Sequence, residues 1–79
     1  MTAEEMFRNL GYIKYIGVDT DDIVYRKQNL CVEFSAIKKT VLVQRMTSSG
    51  EDIVNYGAEV DVALFQAIKK QLEELEWLK

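Results

Sequence analysis

A chain with one cysteine and no histidine has no staple available to it. Cys31 alone cannot form an intramolecular disulfide, and a structural zinc site takes about four Cys or His ligands. The 79 residues must therefore be held by apolar packing, and so short a chain cannot divide its apolar residues between two cores. One domain spanning 1–79 is expected. At this size folding buries only about 60 to 65% of the unfolded chain's surface, so stability is modest. Association with another chain is the remaining way to supplement it. Hydrophobic residues make up 48% of the sequence and charged residues 29%, which is globular rather than disordered composition.

The N-terminal Thr2-Ala3-Glu4-Glu5 has the form of a capping box, with Met6, Phe7 and Leu10 along one edge of a two-turn helix and Gly11 placed to end it. Tyr12–Ile16 is β-branched and aromatic and reads as an edge strand. Residues 17–22 carry turn chemistry, and Ile23–Lys27 reads as the second strand. Gln28-Asn29 is the hairpin loop, with Asn29 suited to positive φ. Leu30–Ser35 alternates, which turns Leu30, Val32 and Phe34 inward and Glu33 and Ser35 outward. Lys38-Lys39 marks the next turn and Thr40–Met46 a fourth strand. The segment 47–52 reads as a loop, and 53–56 as either a short fifth strand or a connection.

Asp61 is the expected N-cap of a long final helix, with Val60 placed to staple onto Phe65. Phe65, Ile68, Leu72 and Leu75 form its apolar stripe, flanked by Leu64 and Leu78, with Lys69, Lys70, Glu73 and Glu74 opposite. Trp77 falls off that stripe. Either the helix ends before it and the chain folds it back onto the core, or it projects outward as a contact anchor. The fold class is thus α+β: an antiparallel sheet of three to five strands between a short N-terminal and a long C-terminal helix, in the order α-β-β-β-β-α.

The chemistry of the sequence is mostly a matter of what it lacks. Without histidine, no Ser-His or Cys-His nucleophile pair can be built. The glycines Gly11, Gly17, Gly50 and Gly57 stand singly, so there is no phosphate-binding glycine loop. Asp19, Asp21 and Asp22 begin like a calcium loop, but Val24 stands where glycine is required and Leu30 where glutamate is. No catalytic, cofactor-binding or metal-binding residue is assigned, and no cofactor is expected. Cys31, inside an apolar run, reads as a small core residue of a reducing compartment; a reactive thiol would need a cationic neighbour or a helix N-terminus. No apolar run is long enough to cross a membrane, and the acidic start is unlike a secretory signal, so a cytoplasmic protein is expected.

Charge is uneven along the chain. Residues 1–22 carry two bases and five acids, 23–47 five bases and one acid, and 48–79 three bases and seven acids. The middle block places Arg26, Lys38, Lys39 and Arg45 on or beside the sheet. With Lys14 these form a candidate surface for phosphates, on which Tyr15 or Tyr25 could stack bases.

Over nearly its whole length the sequence resembles small phage- and prophage-encoded proteins of low-GC Gram-positive bacteria, whose functions are mostly unassigned. The resemblance is carried by Met6-Phe7, Leu10-Gly11-Tyr12, Ile23-Val24-Tyr25, Val32-Glu33-Phe34, Thr40-Val41, the helix Leu64–Leu75 and the closing Trp77. It departs at Glu76, where such proteins often have glycine. It implies a mobile-element origin, action in a bacterial host cell and a homodimer, and it transfers no site residues. The leading expectation is a non-enzymatic module that binds a host or phage protein, with Trp77 among its contact candidates. The alternative is a nucleic-acid-binding accessory domain that uses the basic side of the sheet. A small enzyme, which would need two convergent carboxylates in an enclosed pocket, ranks third.

Overall fold

The computed structural model describes residues 1–17, 20–49 and 52–78, with the backbone alone described at 46–49 and 52–56. Val18 and Asp19, in the turn expected after the first strand, lie outside the described residues, as do Gly50, Glu51 and Lys79. The elements run α1 (Ala3–Asn9), β1 (Ile13–Ile16), β2 (Ile23–Lys27), β3 (Leu30–Ser35), β4 (Thr40–Ser49), β5 (Asp52–Gly57) and α2 (Val62–Glu74). The five strands form one antiparallel meander in chain order, with β1 at one edge as expected.

The segment expected to be a loop at 47–52 is mostly strand. Thr47, Ser48 and Ser49 pair with Val54, Ile53 and Asp52, so the ladder that begins at Gln44 and Gly57 carries on to Ser49 and Asp52. Serine and threonine in such a run follow the pairing, because ladder hydrogen bonds depend on the backbone and only weakly on the side chain. Residues 53–56 are strand.

Both helices lie on the same face of this sheet, although they flank it in sequence. The buried cluster joins Phe7 of α1, Tyr12, Tyr25, Val32 and Phe34 of the sheet side, and Leu64, Ala67 and Ile68 of α2. Phe7 stacks on Tyr25 with ring centroids 3.8 Å apart, and Phe34 meets both rings edge-on. The Tyr25 hydroxyl is buried and donates to Gln71 Oε1 at 2.6 Å. The helices run antiparallel, since the Ala3 amide at the start of α1 donates to the Glu74 carboxylate at the end of α2 at 2.8 Å. That carboxylate fills an orphan donor at the positive end of the α1 dipole.

Capping follows the sequence closely. The Glu5 amide donates to Thr2 Oγ1 and the Thr2 amide to Glu5 Oε1, completing the capping box and holding the Glu5 carboxyl below its ordinary value. The Leu64 amide donates to Asp61 Oδ1. The face that α2 presents keeps Ile68, Leu72 and Leu75 of the expected stripe and departs from it at Phe65, its buried centre being rotated toward Leu64 and Ala67. Leu64, Ala67, Ile68 and Gln71 are buried and Leu72 and Leu75 pack against the core, whereas Phe65 is 56% exposed and Val60, expected to staple onto it, is exposed too. The rotation follows from what the sheet offers: the Tyr25 hydroxyl needs a partner in the core, and Gln71 supplies it. Ala67 keeps the helix interface small enough for close approach.

Both helices end in the same way. In α1 the Gly11 amide donates to the Arg8 carbonyl and the Tyr12 amide to the Phe7 carbonyl, with Gly11 at φ 96°. In α2 the Glu76 amide donates to Glu73 and the Trp77 amide to Leu72, with Glu76 at φ 60°. These are Schellman caps, in which the residue after the left-handed one packs back on the helix. Tyr12 accordingly meets Phe7 edge-on at 5.6 Å, and Trp77 turns onto Phe34 at 6.5 Å. Trp77 therefore folds inward, the first of its two expected directions. Leu78 lies beyond the cap and is exposed, so it does not extend the stripe. In the β2–β3 hairpin the left-handed residue is Gln28, φ 53°, rather than Asn29. The first position of a two-residue turn takes positive φ to match the strand twist, whichever side chain occupies it. Lys39, φ 54°, closes the four-residue β3–β4 turn with its amide on Ser35 at 2.8 Å.

Glu76 holds a conformation that disfavours every residue with a Cβ. Glu76→Gly should therefore raise stability by about 1 kcal/mol in urea unfolding. Gly11→Ala should lower it by at least about that amount, because its Cβ would also press on Lys27 Cε at 3.2 Å. A second expectation concerns alkaline pH. Burial, with the nearby Glu4 and Glu74 charges, pushes the Tyr25 phenol from its ordinary value of 10.0 to about 12. Its stabilisation is complete below pH 10 and is lost as pH rises toward 12, because the unfolded chain releases the proton first. Unfolding free energy should fall across that window, and Tyr25→Phe should flatten the fall while lowering stability at neutral pH by about 1 to 3 kcal/mol.

Candidate interaction surface

With both helices on one side, the strand pairing decides which side chains are left on the other. Strand side chains alternate, and Cα partners share a face. Tyr25 faces the helices, and so do its partners Lys14 and Val32. Ile23, Lys27, Leu30, Phe34, Val41 and Val43 follow in the same phase. The outer face carries the opposite phase in two rows. Tyr15, Val24, Glu33 and Leu42 cross β1 to β4 in one row; Ile13, Arg26, Cys31 and Gln44 cross them in the next.

Neither helix covers this outer face. The molecule is only 18 Å through its shortest dimension, the depth of one sheet and one helix layer. Ile13 is 62% exposed, Tyr15 50% and Leu42 49%, and Val24 between them is half-buried. Three large apolar side chains in phase on one uncovered sheet are unusual, since a single-covered antiparallel sheet normally turns polar residues to water. Glu33 and Ser35 were legible as outward from the alternation of β3. Ile13, Tyr15, Val24 and Leu42 were not, because β-branched and aromatic residues on both phases of a strand give no sign of which phase is covered. The signal was there in register with Glu33, but register is not visible in one sequence.

The basic residues of the middle block do not converge. Lys14 lies on the helix side and its Nζ sits 3.5 Å from Glu4 Oε1. Arg26 is on the outer face, Lys38 and Lys39 are in the β3–β4 turn, and Arg45 pairs with Leu30 midway along β4. Glu33 shares the outer face with Arg26. Tyr25, one of the two rings considered for base stacking, is buried against Phe7 and has no face to offer. Trp77 packs on the core.

Among the described residues, two depressions mark the surface. One, of about 290 Å³, is lined by Glu4, Arg8, Tyr12, Ile13 and Lys14. Its single carboxylate already pairs with Arg8 at 2.8 Å and with Lys14. The other, about 380 Å³ and more open, lies among Arg45, Gly57, Ala58 and Glu59. Neither brings together the two carboxylates that acid–base chemistry would need. Among the described residues no three Cys, Asp or Glu side chains are grouped to hold a metal ion, and no helix is long and apolar enough to cross a membrane.

Cys31 is buried, as expected of a small apolar residue, but it belongs to the outer row and not to the central cluster. Burial raises its thiol pKa, with Glu33 adding to the rise and Gln44 and Arg26 working against it. The thiol is thus held in its unreactive form. A disulfide-exchange reagent at mildly alkaline pH should modify Cys31 slowly in the folded protein and at the rate of a free thiol in denaturant. Comparison with known protein families, with characterised proteins and with solved structures gives no match to this chain.

Proposed function

We propose that this chain is a non-enzymatic protein-interaction module whose outer sheet face is the docking surface. The observation that carries this reading is the set of half-exposed apolar residues Ile13, Tyr15 and Leu42, in phase across the face that neither helix covers. An apolar patch of this kind, with polar groups interspersed, is the ordinary form of a protein-binding surface. Its residues are also cheap to bury, because they stand on paired strands and little order is lost on docking. The role in a phage or prophage cycle, on a host or phage protein in the bacterial cytoplasm, draws its support from the sequence pattern of Met6-Phe7, Leu10-Gly11-Tyr12 and the final helix with Trp77.

The dispersal of Lys14, Arg26, Lys38, Lys39 and Arg45 speaks against a nucleic-acid interface, which needs its cations along one track. The net charge of −3 speaks against it as well.

Tagged protein should retain a stoichiometric protein partner from host lysate, with or without nuclease. The double variant Tyr15→Asp, Leu42→Asp should lose that partner while keeping the circular dichroism spectrum of the parent. Retention by the variant would place the docking surface elsewhere. Loss of all partners after nuclease would favour nucleic acid over protein as the primary ligand.

A further inference from the structure

The outer face carries one feature that is more specific than its apolar character. Val24 pairs with Glu33 and Arg26 with Cys31, so these four side chains stand at the corners of one rectangle. Its sides are about 4.8 Å across the strands and about 7 Å along them. The two apolar groups, Val24 and Cys31, occupy one diagonal, and the two charges, Arg26 and Glu33, occupy the other. Tyr15 and Leu42 extend the row of Val24 to either side, and Ile13 flanks Arg26 on β1.

We propose that a second copy of this chain docks on this face, outer sheet to outer sheet, about a two-fold axis along the Val24–Cys31 diagonal. The inference rests on the interaction reading above for which face docks, and a lysate protein would reach that face by displacing the second copy. A two-fold interface brings the same patch of both copies together, so the patch must be complementary to itself. An axis parallel to the strands would lay Arg26 over Cys31 and Glu33 over Val24, burying each charge against an apolar group. An axis across the strands would lay Arg26 over Val24 and Glu33 over Cys31, with the same cost. An axis along the charged diagonal would set Arg26 against Arg26 and Glu33 against Glu33. Only the apolar diagonal sets Arg26 of each copy over Glu33 of the other while Val24 meets Val24. It also makes the strands of the two sheets cross steeply, in the orthogonal class of sheet packing.

Charge supports a second copy over a foreign partner of strong charge. This patch holds one base and one acid, whereas the chain around it is segregated into acidic and basic blocks. A neutral, reciprocally charged patch repels neither itself nor the apolar residues it surrounds. The small core provides the thermodynamic reason: covering Ile13, Tyr15 and Leu42 supplies apolar burial that one copy cannot provide.

The test uses the full chain and reads molecular mass by sedimentation equilibrium at high protein concentration. Wild type should be a dimer. Arg26→Glu and Glu33→Arg should each weaken dimerisation by about a hundredfold or more, since each sets like charges together twice. An equimolar mixture of the two variants should recover the dimer mass, because every cross-pair is then opposite in sign. Recovery in the mixture cannot come from an Arg26–Glu33 contact within one copy, and unchanged urea unfolding of each variant's monomer would show that the fold is intact. A monomeric wild type, a dimer indifferent to both substitutions, or a mixture that stays monomeric would each overturn the proposal. A monomeric wild type whose lysate partner is still lost on Tyr15→Asp, Leu42→Asp substitution would leave the interaction reading standing and remove only self-recognition.

Discussion

Phe7 stacks face to face on Tyr25, and the hydroxyl of Tyr25 reaches across the core to Gln71. Between them these two contacts join α1, the middle of the sheet and α2. Phe34 closes the cluster edge-on to both rings, and Trp77 closes it in turn over Phe34. Much of this core is aromatic, and aromatic side chains give a small domain large buried area for few residues and little lost rotamer entropy. The one polar bond within it sets direction. A buried phenol needs a partner, so α2 must turn Gln71 inward, and Phe65 is displaced to the flank as a consequence.

The two helix ends show how such a core is finished at its rim. Each cap turns the chain through a left-handed residue and drops an aromatic ring, Tyr12 or Trp77, onto the cluster. At the first the left-handed residue is Gly11, which suffers no steric penalty there; at the second it is Glu76, which does. The conformation of Glu76 persists because Trp77 can reach Phe34 only through it, so tertiary packing outweighs local preference. Lys27, which lies 5.7 Å from the Tyr12 ring centroid, covers the first cap from outside.

Placing both helices on one side has a functional consequence. A meander of this size has two faces, and this chain has helix enough for one. The outer face is left with apolar residues that a single-layer cover normally makes polar, together with a charge pair that complements itself under a two-fold axis. The same economy that keeps the core small thus leaves an apolar sheet face open to solvent, and that is the surface proposed for docking.

Local signals in the sequence determined the elements and their ends: the Thr2–Glu5 box, the Gly11 stop, the alternation of Leu30, Val32 and Phe34, and the Asp61 cap. Each depends on neighbours within a few residues, where the side chain and the backbone it bonds lie in one stretch of chain. Other features depended on groups far apart in sequence. The strand pairing through 47–49 needed the opposite strand to exist, and the inward face of α2 needed the Tyr25 hydroxyl. The direction of Trp77 needed Phe34 beneath it. Whether Tyr15, Val24 and Leu42 were core or surface turned on which sheet face the helices chose, and that choice is made by packing. Periodicity can say that two residues share a face, but only the tertiary structure says which face meets water.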